Sequence, residues 1–542
     1  MSFPSGGNTT AVSFWTGHFD PLELGIYALL AAGVYLFVKR RGQRFTESRH
    51  HLLPVREFIK GHNFVLIDLF AHASFCNICE DIVEEGFRCE ACDIVTHRKC
   101  AHLAHGSLRC KAMSSFGPDM KHHLVKGNLP PSSICGICHD ECEIEDHLTD
   151  FRCIWCKITV HTRCVDFLND ICDLGPYRDF IIPPNCIKLK LVGLRPRRQT
   201  VVSAVRAPEN AHWMPLIVIG NRKSGAGDSS SILGAFRNVL NPGQVIDVNV
   251  VKPEEVLEWI NLLPNHVCRI LICGGDGTVG WILTTIDKLK LKPRPAVGII
   301  PIGTGNDLSN VLGWGSAVSL PLNMEKVFRN ITQAEFAMVD RWTVCVRPTR
   351  IGLPLPAKTL TFNNYVSLGV DALVTLNFHR KREQIPRFFA SRYMNKFLYF
   401  TYGTMDVLER ACLNLNDKVS LECDGKQLTL PVIEGLVFLN IPSWGAGVDV
   451  WNLNAAGDPL YAEQVIDDGY LEVFALYSSF HIAQMQVGLS SPHRLCRAKN
   501  IKLTLRRGKV PMQVDGEPWE QGPGVISISY FNQALLLELP RK

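Results

Sequence analysis

With 542 residues, 46% of them hydrophobic and 20% charged, and a net charge of +5, the chain is too long for one ordinary core. At ~150 residues per domain it calls for three or four units. That balance excludes a disordered tail, and the small basic excess excludes a dedicated nucleic-acid binder while leaving an anionic surface as a weak expectation.

Residues 1–20 are a polar N-terminus, and the segment 21–41 carries an apolar run from Leu22 to Val38 closed by Lys39, Arg40 and Arg41. Spanning a bilayer takes ~20 apolar residues, with ~17 as the lower limit, so the run is just long enough. It lacks the basic region that precedes the apolar core of a cleaved signal peptide. A buried core helix would seldom be apolar on every face and then end in three basic residues. An uncleaved membrane anchor is expected, spanning or re-entrant. Its trailing positive charge puts the rest of the chain, and any catalytic part, in the cytosol at the endoplasmic reticulum or plasma membrane.

Most of the 20 cysteines fall between Cys76 and Cys172, in C-x2-C pairs interleaved with His. A secreted chain would use them for disulfides; His at regular offsets reads instead as zinc thiolate sites in a reducing compartment. Residues 57–110 read His62, Cys76-x2-Cys79, Cys89-x2-Cys92, His97, Cys100, Cys110. Residues 120–172 read His122, Cys135-x2-Cys138, Cys153-x2-Cys156, His161, Cys164, Cys172, with His122 preferred to His123 on spacing. Six Cys and two His per unit suffice for two closed four-coordinate structural sites, and the metal supplies most of the folding energy of such small units.

The ordered pattern resembles the phorbol-ester/diacylglycerol-type zinc finger, present as a tandem pair. The resemblance implies interleaved sites: His62, Cys89, Cys92 and Cys110 on one ion, and Cys76, Cys79, His97 and Cys100 on the other. In the second unit it groups His122, Cys153, Cys156 and Cys172 against Cys135, Cys138, His161 and Cys164. The gap between Cys79 and Cys89 is short, and neither unit has the Gln-Gly step that shapes a diacylglycerol groove in that family. A structural or intramolecular role is therefore expected ahead of lipid capture.

Residues 173–212, with Arg195, Pro196, Arg197 and Arg198, read as a solvated basic linker. From Trp213 short apolar strands alternate with amphipathic helices, which predicts a parallel α/β sheet over 213–345. Over 346–537 the alternation stops, and GYLEVFALYS, IKLTLRR and GVISISYF predict a mostly β accessory domain.

The loop Gly274-Gly275-Asp276-Gly277-Thr278 follows the strand CRILICG and opens the helix TVGWILTTIDKL. Backbone N–H groups and the helix dipole can hold phosphate there, glycine lets the backbone approach, and Asp276 adds a carboxylate for Mg²⁺ or for orienting an acceptor. Alone, GGDG leaves lipid kinases, NAD kinases and phosphofructokinases open. Asn221-Arg222-Lys223-Ser224-Gly225 and Gly303-Thr304-Gly305-Asn306-Asp307 end two other strands, which points to one crevice at the sheet edge.

The strings GGDGTVGWIL, PIGTGNDLSN with LGWG, FNNYVSLGVDA, FHRKRE, NIPSWGAG, DDGYLEV and QVDGEPW resemble the diacylglycerol kinase family over about 215–535. The resemblance implies an ATP- and Mg²⁺-dependent transfer to diacylglycerol, giving phosphatidic acid at membrane lipid. Gly274, Gly275, Gly277 and Thr278 would line the nucleotide phosphates, with Asn221, Lys223, Thr304 and Asn306 close by. Asp276 is the first choice for an essential acid. Asp468, in the DDG turn, resembles the general-base position of related soluble lipid kinases, and Asp515 and Glu517 are weaker metal-network candidates. Each acid also has a plain turn or N-cap reading. His379, in the basic run FHRKRE, is expected on a solvated or membrane-facing surface. Sphingosine or ceramide as acceptor, and an inactive lipid-sensing scaffold, are the competing readings. No protein partner is named by the sequence.

Overall fold

The computed structural model describes residues 53–54, 61–67, 74–142, 147–192, 199–222, 224, 228–263, 268–349, 356–384, 412–445 and 447–540. The expected polar N-terminus and membrane anchor over 1–41, and Lys223, lie outside the described residues. Among the described residues no helix is long and apolar enough to cross a membrane.

The first zinc unit is a small antiparallel sheet of β1 (Phe64–Ile67), β2 (Gly86–Cys89) and β3 (Val95–His97), followed by α1 (Ala101–Ser107). The second repeats it with β4 (Leu124–Lys126), β5 (Phe151–Cys153) and β6 (Thr159–Val160). The segment expected to be a linker folds. β7 (Ile187–Val192) and β8 (Gln199–Val205) form an antiparallel hairpin to which Leu53–Pro54 adds a short edge. Its inward residues Ile187, Val202 and Val205 are buried. The fully buried Gln244 ties the stretch before the hairpin to the start of the parallel sheet, donating to Phe180 O (2.8 Å) and Leu216 O (2.6 Å) and accepting from Ile182 N (2.7 Å). The period-2 apolar pattern of QTVVSAV outweighs the basic charge read as solvated.

The predicted α/β alternation is present. The chain runs through β9 (Leu216–Gly220), α2 (Asp228–Val239), β10 (Val245–Asp247), β11 (Arg269–Gly274), α3 (Asp276–Leu289), β12 (Ala296–Pro301), α4 (Asp307–Val311) and α5 (Met324–Gln333). The strands are parallel in the order β10-β9-β11-β12. β9 and β12 are buried at every residue, as a sheet covered on both faces requires. Two details differ from expectation. QVIDVNVV keeps only three strand residues, and PEEVLEWINLL breaks at Leu257 into two short helices.

β13 (Glu335–Pro348) leaves this domain for β14 (Lys358–Phe362), β15 (Tyr365–Gly369) and α6 (Val370–Gln384). The accessory strands follow: β16 (Val419–Cys423), β17 (Lys426–Leu428), β18 (Gly435–Leu439), β19 (Leu471–Leu476), then α7 (Ser479–Gln486), β20 (His493–Ala498), β21 (Asn500–Leu505), β22 (Val510–Val514), β23 (Glu517–Gln521) and β24 (Gly524–Glu538). One antiparallel sheet has the order β20-β19-β18-β15-β22-β23. The 15-residue β24 joins the two domains. One of its edges pairs with β21 near its start and with β12, parallel, at Leu536, while the other pairs with β13 along its length. The domain boundary is therefore a shared sheet and not a linker.

Candidate functional site

β11 delivers Gly274 to the carboxyl edge of the parallel sheet, and Gly275 (φ −97°, ψ 179°) caps α3. The two glycine loops touch. A Cβ on Gly275 would lie 2.9 Å from Gly303 Cα, and one on Gly303 would lie 2.6 Å from Gly275 Cα. Backbone-to-backbone proximity, more than ligand clearance, is what requires glycine at these two positions. Gly277 is the reverse case: it is exposed, and a Cβ there would meet nothing within 4 Å. That open ledge on the first turn of a 14-residue helix is where an anion can approach N–H groups without obstruction.

Asp276 is built in from behind. Its carboxylate accepts from Asp307 N (3.2 Å) and Leu308 N (3.3 Å), the first amides of α4. It thus caps α4 in place of Asn306, whose backbone is left-handed (φ 58°). The buried Asn306 amide instead staples its own loop, accepting from Gly303 N (2.9 Å) and donating to Gly303 O and Ser316 O (2.8 Å each). Burial pushes the Asp276 carboxyl above the usual range, opposed by hydrogen bonds from the Asn364 side chain and the α4 amides. Asn221 donates to Thr278 Oγ1 (3.2 Å) and accepts from Asn249 (3.0 Å), which also donates to Asp247 (2.8 Å). Thr304 is half-buried in the Gly303 loop. The structure therefore brings Gly274, Gly275, Gly277, Thr278, Asn221, Thr304 and Asn306 to one crevice.

The accessory domain completes the crevice from two loops. Ser443, in the NIPSWGAG string, donates to Asp307 (2.6 Å). Asp515 lies in the two-residue turn between β22 and β23, with φ 45° at Asp515 and 83° at Gly516. Left-handed backbone at both positions is what Asp-Gly hairpin turns supply. Its carboxylate accepts from Asn363 N (2.8 Å), Asn364 N (2.9 Å) and Tyr365 N (3.1 Å), the corner between β14 and β15. Burial drives Asp515 up to about 7, with the Asp276 charge adding to the rise. Asp276 and Asp515, one from each domain, thus face a common electrostatic environment and share the Asn363–Asn364 corner.

Asp468 is not part of this group. Arg497 holds it in an ion pair and Tyr470 N donates to it (3.0 Å), while Gly469 N turns to Asp340. The Asp468 carboxylate is thus engaged by Arg497, whereas Asp515 is held by backbone amides beside the glycine loops. Glu517 is exposed at the start of β23. His379 is half-buried on α6, beside the exposed Arg380, which faces Glu520 at 3.5 Å. Sequence reasoning passed over Asp307, Ser443, Asn363 and Asn364 although their strings were in view. Asn249 lies in no motif, and its one signal is its place just past the end of β10.

All four expected Cys/His sets are assembled, His122 rather than His123 included, with ligand atoms within 4.8 Å of one another in each set. Sulfur–sulfur separations of 3.7–3.9 Å fit tetrahedral thiolates about a common centre, since Zn–S bonds of ~2.3 Å place sulfurs ~3.8 Å apart. His62, His97, His122 and His161 each aim Nδ1 at a cysteine sulfur, at 3.2–3.5 Å. In three of them Nε2 lies 3.0–3.1 Å from a backbone carbonyl, which accepts its proton and leaves Nδ1 bare for a metal. This donor set is compatible with zinc.

An α/β unit with a glycine-loop crevice, closed by a β domain that shares its sheet, defines the class: a two-domain architecture of α/β and β parts. Residues 215–340 match the diacylglycerol kinase catalytic domain, residues 361–518 the diacylglycerol kinase accessory domain, and residues 122–175 the phorbol ester/diacylglycerol binding (C1) domain. The chain is therefore similar to the diacylglycerol kinase catalytic and accessory domains over those two segments, with a C1-like segment ahead of them. It is 32% identical over 521 residues to "Probable diacylglycerol kinase 3" of Caenorhabditis elegans, covering 87% of this chain and 64% of that one. It is 33% identical over 514 residues to diacylglycerol kinase iota of Mus musculus, covering 84% and 48%. The chain thus spans between about half and two thirds of the length of these relatives. Among solved structures, a diacylglycerol kinase from Bacillus anthracis str. Sterne aligns at 16% identity and TM-score 0.36, covering 60% of this chain and 97% of that one. Yeast NADH kinase aligns at 14% and 0.31, covering 65% and 89%.

Proposed function

We propose that this chain is an ATP-dependent diacylglycerol kinase that transfers the γ-phosphoryl group to the free sn-3 hydroxyl of 1,2-diacyl-sn-glycerol, giving phosphatidic acid. The observation that carries the reading is the pairing of Asp276 and Asp515 across the two domains, beside an open phosphate ledge. Phosphoryl transfer needs positioning and charge neutralisation more than covalent chemistry. Gly277, Thr278 and Asn221 hold the phosphates, and Asp276 is the residue that would hold Mg²⁺, which when bound neutralises phosphate charge. Asp515 takes the acceptor's proton. Three backbone N–H groups occupy three of its roughly four lone-pair positions, leaving one for the hydroxyl. A base titrating near 7 is matched to physiological pH.

Zinc in the four Cys/His sets is structural in this reading, since each set is closed by four protein ligands. The apolar run of 21–41 anchors the chain at the endoplasmic reticulum or plasma membrane with the kinase in the cytosol. An anchor and two zinc units ahead of the kinase resemble the epsilon type within the family. On that resemblance we extend the proposal to arachidonoyl-containing diacylglycerol and phosphatidylinositol turnover. Labelled ATP supplied with mixed micelles of diacylglycerol, sphingosine and ceramide tests the acceptor. Label in phosphatidic acid is expected; label in sphingosine phosphate, or in no lipid, rejects the reading.

A further inference from the structure

Behind the Asp515 turn lies a buried polar chain that no step so far uses. Ser367 on β15 and Gln513 on β22 stand directly opposite each other across the strand pair, and both have no exposed surface. Asp371, in the first turn of α6, is 2% exposed. Ser367 Oγ donates to Asp371 Oδ2, Gln513 Nε2 donates to Ser367 Oγ (3.0 Å), and Gly516 N donates to Gln513 Oε1 (2.7 Å). Gly516 is the residue after Asp515.

The direction of each bond is fixed by chemistry. An ionised carboxylate only accepts, so Asp371 compels the Ser367 hydroxyl to donate and leaves its lone pairs to the amide nitrogen of Gln513. With Nε2 committed there, Oε1 must face Gly516 N–H. The Gln513 side chain also hydrogen-bonds the Asp371 carboxylate directly, so without the hydroxyl it keeps one of its two donor contacts, while without Asp371 the amide is free to turn over and present NH₂ to Gly516 N–H, donor against donor. The turn would then lose its anchor at Gly516. Asp515 would keep the Asn363–Tyr365 corner, which binds its carboxylate and accepts its N–H at Tyr365 O (3.1 Å) but leaves the Gly516 backbone unheld. We propose that Asp371, acting through Ser367 and Gln513, is a positioning residue that sets the Asp515 turn for proton abstraction. A plain reading, that a buried polar trio merely fills a strand–helix junction, predicts effects on stability alone.

The proposal rests on the role given to Asp515, and the test separates the two. In the full chain, Asp371→Leu should lower kcat about tenfold and Ser367→Ala about threefold while KM for ATP stays within twofold, since a displaced base slows chemistry without touching the phosphate ledge. Asp371→Asn keeps an acceptor for the Ser367 hydroxyl and should stay within about twofold of the parent kcat. Ser367→Ala removes a single oxygen, so it carries the test even if Asp371→Leu does not fold. A lower Tm with unchanged kcat in Ser367→Ala, or an Asp371→Asn enzyme as slow as Asp371→Leu, overturns the proposal. An Asp515→Asn enzyme with full kcat overturns the underlying reading of Asp515, independently of these variants.

Discussion

In each zinc unit the two ligand sets sit in unlike surroundings. Cys89 and Cys92, and Cys153, Cys156 and Cys172, are buried in one cluster with Leu216, Val218, Leu233 and Phe236 of the kinase sheet and α2. Cys76 and Cys100 share a cluster with little beyond Val83 and Val95, and Cys135 and Cys164 with Cys142 and Val160. Cys79 and Cys138 of these outer sets are exposed. The inner sets are an extension of the kinase core, while the outer ones stand on their ligands alone. Polar contacts follow the same division. Glu90 pairs with Arg237 (2.7 Å), Lys157 donates to Asn238 (2.6 Å), and the buried Lys111 donates to Asn238 O and Val239 O (2.8 and 3.0 Å) at the end of α2. Tandem units of one pattern are thus unequal by site rather than by copy: half of each is part of the α/β domain's core.

Substitutions at the inner sets should therefore reach the active site. Cys89→Ser or Cys153→Ser is expected to cost on the order of 4 kcal/mol and to abolish kinase activity, as read by thermal unfolding and label transfer. A core contact of the crevice itself comes next. Gly275→Ala puts a Cβ against Gly303 Cα, and a displacement near 1 Å there should cut kcat/KM roughly a hundredfold and lower Tm, since overpacking costs about 1–3 kcal/mol. Gly275→Asp adds charge repulsion of ATP to the same clash and should be slower still. Lys111→Met leaves carbonyls at the end of α2 without their donor, a loss of about 1–3 kcal/mol that chemical denaturation would register. Smallest is the outer pair. Cys76→Ser or Cys135→Ser should speed amide exchange within its own finger while the kinase sheet's exchange stays as in the parent. Equal losses at inner and outer sets would erase the distinction drawn between them.

Much of this was legible in the chain. Zinc patterning depends on local spacing, and parallel strands such as LIVIG and AVGIIP advertise burial on both faces. The 173–212 stretch misled because its Arg-rich centre obscured the alternation of QTVVSAV, and because what ties it down, Gln244, lies far along the chain. The site was half legible for a related reason. Asp276 sits in a motif with its own local logic, whereas the difference between Asp468 and Asp515 depends on partners remote in sequence: Arg497 for one, and the Asn363–Tyr365 corner for the other. Both acids occupy Asp-Gly turns, and no spacing rule tells an ion-paired turn from one that faces a phosphate loop. The same remoteness hid Asp307 and Ser443, which matter because they meet.

The assignment of chemistry to the Asp276–Asp515 junction is tested most directly by the pH dependence of kcat/KM for the parent and for Asp515→Asn. Because burial and the Asp276 charge hold Asp515 near 7, it is protonated and inactive as a base below that value, so the parent's rate should climb with pH through about 7 and level off above it. Asp515→Asn should lose that limb and run at least a hundredfold slower, in line with the share general-base catalysis supplies. An Asp515→Asn enzyme that keeps both the rate and the limb, with Asp468→Asn losing them instead, would contradict the account.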